Sequence, residues 1–170
     1  SRGKEGIKFY QLNSKDSIKR STISPLELNL GENGSIKKLE IDDQTHILYV
    51  YDSDSWEGTF TLLDLNDNEE IRVLGSYYVE KDSKVKINKI LPLKNHVYIF
   101  GESESKFVLY HLVFSISSRN IWDLVTKNSW VSDSEIKYIH HSGTSILLES
   151  GSKVYLMRSG IPLNFVHPHM

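Results

Sequence analysis

The sequence predicts an all-β, antiparallel protein, and three observations carry the prediction. Runs rich in β-branched and aromatic residues recur along nearly the whole chain, many with alternating polarity. Turn-forming clusters separate them at intervals of roughly 8–12 residues, which is the spacing of short antiparallel strands. A pattern of short strand, polar turn and apolar strand also returns along the chain, with the apolar strands beginning at Ile47, Val97 and Ile146.

Taken in order, Ile7–Leu12 is the first clear strand, followed by weaker candidates at 21–24 and 26–30. Asn33-Gly34, inside the turn Gly31-Glu32-Asn33-Gly34, is a hairpin signal, because Asn-Gly supplies the positive φ that a tight turn requires. Strands are expected next at 36–41, 46–51, 60–65 and 71–79, separated by polar turns at 52–58 and at Asp67-Asn68. A second series follows at 85–91, 96–100 and 107–114. The segment 117–130 can be read in two ways. Ile121, Leu124 and Val125 have helical spacing behind two serines suited to capping, yet 120–126 also reads as a strand ended by Lys127-Asn128-Ser129. The strand is favoured, because the neighbouring rows call for one at that point. The last series lies at 136–140, 145–149 and Lys153–Arg158, with a weaker strand at 163–166.

Aligned on their apolar second strands, the units start 50 and 49 residues apart. A third strand follows each time, as Phe60-Thr61-Leu62-Leu63, Phe107-Val108-Leu109-Tyr110 and Lys153-Val154-Tyr155-Leu156, and a fourth follows in at least the first two units. A four-stranded unit of about 40–50 residues is a sheet that cannot cover both of its faces alone, so such units stack. With its strand pattern and the strand-end forms Leu63-Asp64-Leu65 and Ile121-Trp122-Asp123-Leu124, the chain resembles β-propeller repeats of the WD-repeat type over about residues 35–167. The resemblance is one of architecture. No Gly-His pair opens a unit, Trp122-Asp123 falls in the fourth strand rather than at the end of the third, and no functional residue is carried over. The resulting expectation is a single β domain over 1–170, made of a partial unit at 7–30 and units at 35–79, 85–126 and 136–167. That is about three and a half propeller-like blades in an incomplete ring, since closed propellers have about four to eight. The alternative is a single closed β-barrel of eight to ten strands, which would suit a small apolar ligand.

Composition narrows the function. Lys and Arg number 20 against 22 Asp and Glu, a net charge of −2, so the basic footprint of a dedicated nucleic-acid binder is missing. Hydrophobic residues make up 39% and charged residues 25%, as in a globular domain. Cysteine is absent, which excludes disulfides, thiolate nucleophiles and Cys-based zinc sites and favours an intracellular setting. No apolar run approaches the roughly 18 residues of a membrane-spanning helix. Ser1-Arg2-Gly3-Lys4-Glu5-Gly6 has no apolar stretch behind it, so no secretory leader is expected.

Motifs for catalysis are equally sparse. There is no Gly-x-Ser-x-Gly elbow, phosphate loop or Gly-x-Gly-x-x-Gly, and nothing selects an acid–base pair of carboxylates, so an enzyme is not expected. The acidic turn at 64–70 begins like a calcium loop but has Glu69 where Gly is required and Gly75 where Glu is required. The turn at 52–58 fails at Leu63. Adjacent His140 and His141 point to opposite faces of a strand, and His167 and His169 lie at the C-terminus, so neither a metal nor a cofactor is expected. His46 and His96 open equivalent strands, which suggests a structural role in a turn.

Protein contact is the better lead. Trp56 falls in a polar turn and Trp130 in an expected loop, and aromatic anchors on loops typify interfaces. Lys84 and Lys86, within the basic cluster that also includes Lys81 and Lys89, share one face of an extended segment. The expectation is a non-catalytic interaction scaffold within an intracellular multi-subunit complex. Its partner is another protein subunit, or a second copy, completing the ring of sheets; nucleic acid is expected only within a larger assembly, and no membrane.

Overall fold

A computed structural model of the chain describes residues 7–12, 17–23, 38–66, 71–143, 145–158 and 161–166, with side chains described over 38–66, 71–143 and 145–158. The expected strand at 26–30, the Asn33-Gly34 hairpin, Asp67-Asn68, His167 and His169 lie outside the described residues. The chain divides into two compact units, Ser1–Ile87 and Asn88–Met170.

In the first unit, β1 (Ile7–Leu12) pairs antiparallel with β2 (Ser17–Ile23) as a two-stranded sheet. Then β3 (Lys38–Asp42), β4 (Ile47–Tyr51), β5 (Thr59–Asp64) and β6 (Arg72–Tyr78) form a four-stranded meander in chain order. Every residue of β4 and of β5 is buried. Continuous burial follows from sequence, because Ile47-Leu48-Tyr49-Val50-Tyr51 is apolar on both faces of the pleat and each face must be covered. Phe60 lies between Tyr49 and Tyr77, with ring centroids 6.4 and 5.6 Å away.

The turns of this sheet are closed by aspartates at strand ends. Asp42 Oδ1 accepts the Gln44 N–H at 3.0 Å, Asp52 Oδ1 the Asp54 N–H at 2.8 Å, and Asp64 Oδ1 the Asn66 N–H at 2.9 Å. Each is a side chain standing in for a main-chain turn partner, the reason Asp favours such sites. His46, at φ 55°, closes the β3–β4 turn; its N–H donates to the Asp42 carbonyl at 2.8 Å and its Nδ1 lies 3.2 Å from Asn66 Oδ1. Gly58, at φ 65°, is required where the chain leaves the Asp52 turn, since a Cβ there would stand 3.0 Å from Val85 Cβ.

The second unit holds two meanders. β7 (Lys86–Leu93), whose first two residues precede the unit boundary, β8 (His96–Ser103), β9 (Lys106–Ile116) and β10 (Trp122–Ser132) form one sheet in that order. β11 (Ile136–Ser142), β12 (Ser145–Ser150), β13 (Lys153–Arg158) and β14 (Ile161–Val166) form the other. One hydrophobic cluster joins them: Tyr98, Phe100 and Leu109 from the first sheet with Ile136, Ile146, Leu148 and Met157 from the second. Three four-stranded antiparallel meanders, each linking only sequence neighbours, thus give the all-β, blade-like architecture expected.

The alternative, one closed barrel, does not form: among the described residues every sheet ends at two edges. The reason is legible in the burial of β4 and β5. A small barrel leaves alternate residues of each strand facing water, whereas these strands are covered on both sides.

The segment after β9 is a strand rather than a helix. Ser117 does cap, but in a tight turn: its Oγ accepts the N–H groups of Arg119 and Ile121 at 3.2 and 3.1 Å. Asn120, at φ 59°, then breaks any helical path. The strand also runs farther than expected. Lys127-Asn128-Ser129 is paired with Leu112, His111 and Tyr110, so the expected end of the strand, and with it the loop around Trp130, is corrected. A bulge between Leu124 and Thr126 absorbs the extra residue and keeps β10 in register along the length of β9.

Candidate functional site

Two regions bring chemistry-bearing side chains together, one in each unit. In the first, the Asp52 turn projects Trp56, which is 46% exposed. Its carbonyl accepts the Val85 N–H at 2.9 Å, tying the turn to the segment that leads into β7. That tie brings Lys86 Nζ to 5.9 Å from the centre of the Trp56 ring, a cation–π contact. Lys84 is exposed two residues earlier, ahead of the strand. Of the four residues singled out in the sequence, Trp56 and Lys86 therefore meet. Trp130 is in the other unit, half-buried in β10 and opposite Leu109, with its ring 4.7 Å from that of Tyr155.

The second region is an open cleft of about 430 Å³ within Asn88–Met170. Phe100 on β8, Phe107 on β9 and Ile136 on β11 line it and continue the hydrophobic cluster that joins the two sheets. Asn88 and Lys89 on β7 border one side; Glu135, Lys137 and Tyr138 border the other. Lys89 Nζ is 5.4 Å from the centre of the Tyr138 ring, and the Tyr138 hydroxyl shares a 2.5 Å hydrogen bond with His141 Nδ1. Lys106, beside the cleft residue Phe107, is ion-paired with Asp133. Lys137, by contrast, stands opposite Glu149 on the face of β11 away from Ile136 and Tyr138.

A third grouping is structural. His111 is 1% exposed, its Nε2 lies 2.9 Å from His96 Nδ1, and its ring stacks on Tyr98 at 4.5 Å. Burial, reinforced by the neighbouring His96, pushes the His111 pKa down to about 4. Burial also lowers His96 and raises the Tyr98 phenol to about 12. His111 is enclosed in the core while His96 is half-buried at the start of β8, and their hydrogen bond and ring stacking tie β8 to β9.

The cleft escaped sequence reasoning because its two sides come from strands of different sheets, about fifty residues apart in the chain. The His pair had one signal, a histidine inside the apolar run Val108-Leu109-Tyr110-His111-Leu112. Compared with known proteins, the chain matches no family model, and no curated protein is significantly similar to it.

Proposed function

We propose that the chain is a non-catalytic protein–protein interaction scaffold, a propeller-like module of an intracellular multi-subunit complex, completed by a partner subunit or a second copy. The observation that carries this reading is β10: eleven residues without proline, paired on one side only among the described residues, with Val125 59% and Val131 54% exposed. A long edge strand with exposed aliphatics is a template for strand addition, above all over its regular part beyond the bulge at Leu124 and Thr126. The blade-like meanders support it further, since rigid stacked sheets present loop and edge residues without needing to move. The absence of cysteine supports the intracellular part. Among the described residues no helix is long and apolar enough to cross a membrane.

Light scattering on a sizing column tests the reading. The isolated chain is expected to elute well above its 19.6 kDa, as a dimer or larger species. Val131→Lys, which sets a charge on the exposed edge, is expected to shift the mass toward 19.6 kDa. A wild-type chain that is wholly monomeric at tens of micromolar and melts in one sharp transition would overturn the proposal.

A further inference from the structure

The two meanders of Asn88–Met170 stack, and the stacking leaves a sheet face of the same kind open on the far side of β12 and β13. On β8 and β9, Tyr98 pairs with His111 and Phe100 with Leu109, so these four side chains share one face. Tyr98, Phe100 and Leu109 carry Ile146, Leu148 and Met157 of the next sheet, and none of the four is more than 5% exposed. The repeat that begins at Val97 and again at Ile146 sets Leu147 at the place of Tyr98 and Glu149 at the place of Phe100; opposite them stand Leu156 and Val154. Ile146, Leu148 and Met157 point into the cluster, so alternation turns Leu147, Glu149, Val154 and Leu156 the other way. Where the earlier sheet has four buried residues, this face has three half-buried aliphatics and an exposed carboxylate.

β12 and β13 are the middle strands of their meander, and the equivalent pair β8 and β9 is covered by a sheet, so another sheet is the surface that fits. Charge then selects whose sheet. Lys137 and Glu149 stand opposite each other at one end of the face. In its middle row His140 stands opposite Leu147, and Ile139, the extra residue of the β11 bulge, is 45% exposed at the margin. At the other end Ser142 stands opposite Ser145, and Arg158, one residue beyond the inward Met157, is exposed on the same face. A two-fold axis across the strands at the Leu147–Leu156 row lays both leucines on their counterparts and brings Arg158 of each copy toward Glu149 of the other. An axis along the strands would set Glu149 on Val154, a charge against an aliphatic. The face therefore complements itself in the first arrangement.

We propose that the far face of β11–β13 is an isologous docking surface for a second copy of the chain, stacked sheet on sheet through Leu147, Val154 and Leu156 and oriented by Arg158 and Glu149 across the two-fold. The proposal rests on the interaction-module reading and deepens it, naming the partner and a contact separate from β10. The aliphatic rows exclude water, and the two symmetry-related ion pairs set the orientation. With an edge and a face each able to join a copy, the wild-type chain is expected to exceed the mass of a dimer.

Light scattering on the full chain carrying Val131→Lys, which disables the β10 edge, isolates this contact. At tens of micromolar that chain is expected to run as a dimer, and Leu147→Lys added to it is expected to bring the mass to 19.6 kDa. Glu149→Lys and Arg158→Glu, each added singly to Val131→Lys, are expected to weaken the dimer about threefold to tenfold, since each sets like charges against one another twice per dimer. A 1:1 mixture of these two charge variants is expected to recover the dimer, because opposite charges then meet at both contacts, and a merely structural role for either residue would give no recovery. Both charge changes are at exposed positions, and an unchanged thermal melt establishes that the variants fold. A Val131→Lys chain that is wholly monomeric, or one whose dimer withstands Leu147→Lys, overturns the stacking while leaving the interaction module and its β10 edge standing. A mixture that stays as weak as its components overturns the two-fold arrangement. If the wild-type chain is itself monomeric, both readings fall.

Discussion

His111 shows how a single side chain couples this fold to pH. The imidazole is enclosed by β-strands, and Nδ1 finds no hydrogen-bond partner among the described residues, so a proton added there has no acceptor. The neighbouring His96 disfavours that form further, since it would add a like charge. The folded chain therefore holds His111 neutral down to about pH 4, whereas in the unfolded chain it takes up its proton near the ordinary value of 6.5. Where the unfolded state binds more protons, stability falls as pH falls. The contribution is thus complete above about pH 6.5, declines by roughly 1 kcal/mol per pH unit down to about 4, and levels off below. Urea denaturation from pH 4 to 7.5 measures it, and His111→Gln is expected to remove most of that part of the slope. An equal slope in the variant would show that other groups carry it. Tyr49 is a second buried polar group of this kind: its hydroxyl has no partner among the described residues, and burial, with Asp42 and Tyr77 nearby, holds the phenol far above its usual range.

At the scale of the element, turn chemistry decides how well the strands register. β8 and β9 are joined by Glu104-Ser105, and the pairing of Ser103 with Lys106 makes this a two-residue hairpin. Both central residues have positive φ, 49° and 64°, as a type I′ turn demands. Neither Glu nor Ser favours that conformation, which Asn-Gly adopts at little cost. The double substitution Glu104→Asn, Ser105→Gly is expected to stabilise the chain by about 1 kcal/mol, seen as a raised denaturation midpoint with unchanged m-value. A lower midpoint would mean that the Glu104 or Ser105 side chain contributes more than the backbone strain it imposes. This turn also shows what was legible beforehand. Strands 46–51 and 107–114 could be read because their apolar patterns are continuous and bounded by polar turns. The far end of β10 could not, because Lys127-Asn128-Ser129 has the composition of a turn and is held extended by its pairing with β9. Tertiary pairing overrides local preference there. The cleft was illegible for a related reason: Lys89 and Tyr138 meet through sheet packing, and no spacing along the chain encodes that meeting.

Across the whole molecule, burial is distributed unevenly, and stability should follow it. In both units the middle strands hold the core: β4 and β5 are buried throughout, and 97–101 and 108–112 are continuous buried runs in β8 and β9. The outer strands differ. β10 is exposed from Asp123 to Ser129, and β3 and β11 expose most of their residues. An amide in a middle strand is shielded by ladders on both sides and by packing on both faces, so its exchange requires opening of the sheet. An outer strand can peel away while the rest stays intact. Hydrogen exchange followed by mass spectrometry is therefore expected to show slow exchange in peptides from 47–51, 59–64, 97–101 and 108–112, and exchange faster by about two orders of magnitude or more in 123–131. Addition of a partner strand along β10 would protect 123–131 alone, so the same measurement on the chain at low and high concentration also reports whether that edge is the surface through which copies associate. Uniform protection across all four strands of a meander would contradict the ordering, because it would mean that the sheets open only as wholes and that β10 is no weaker than the core it borders.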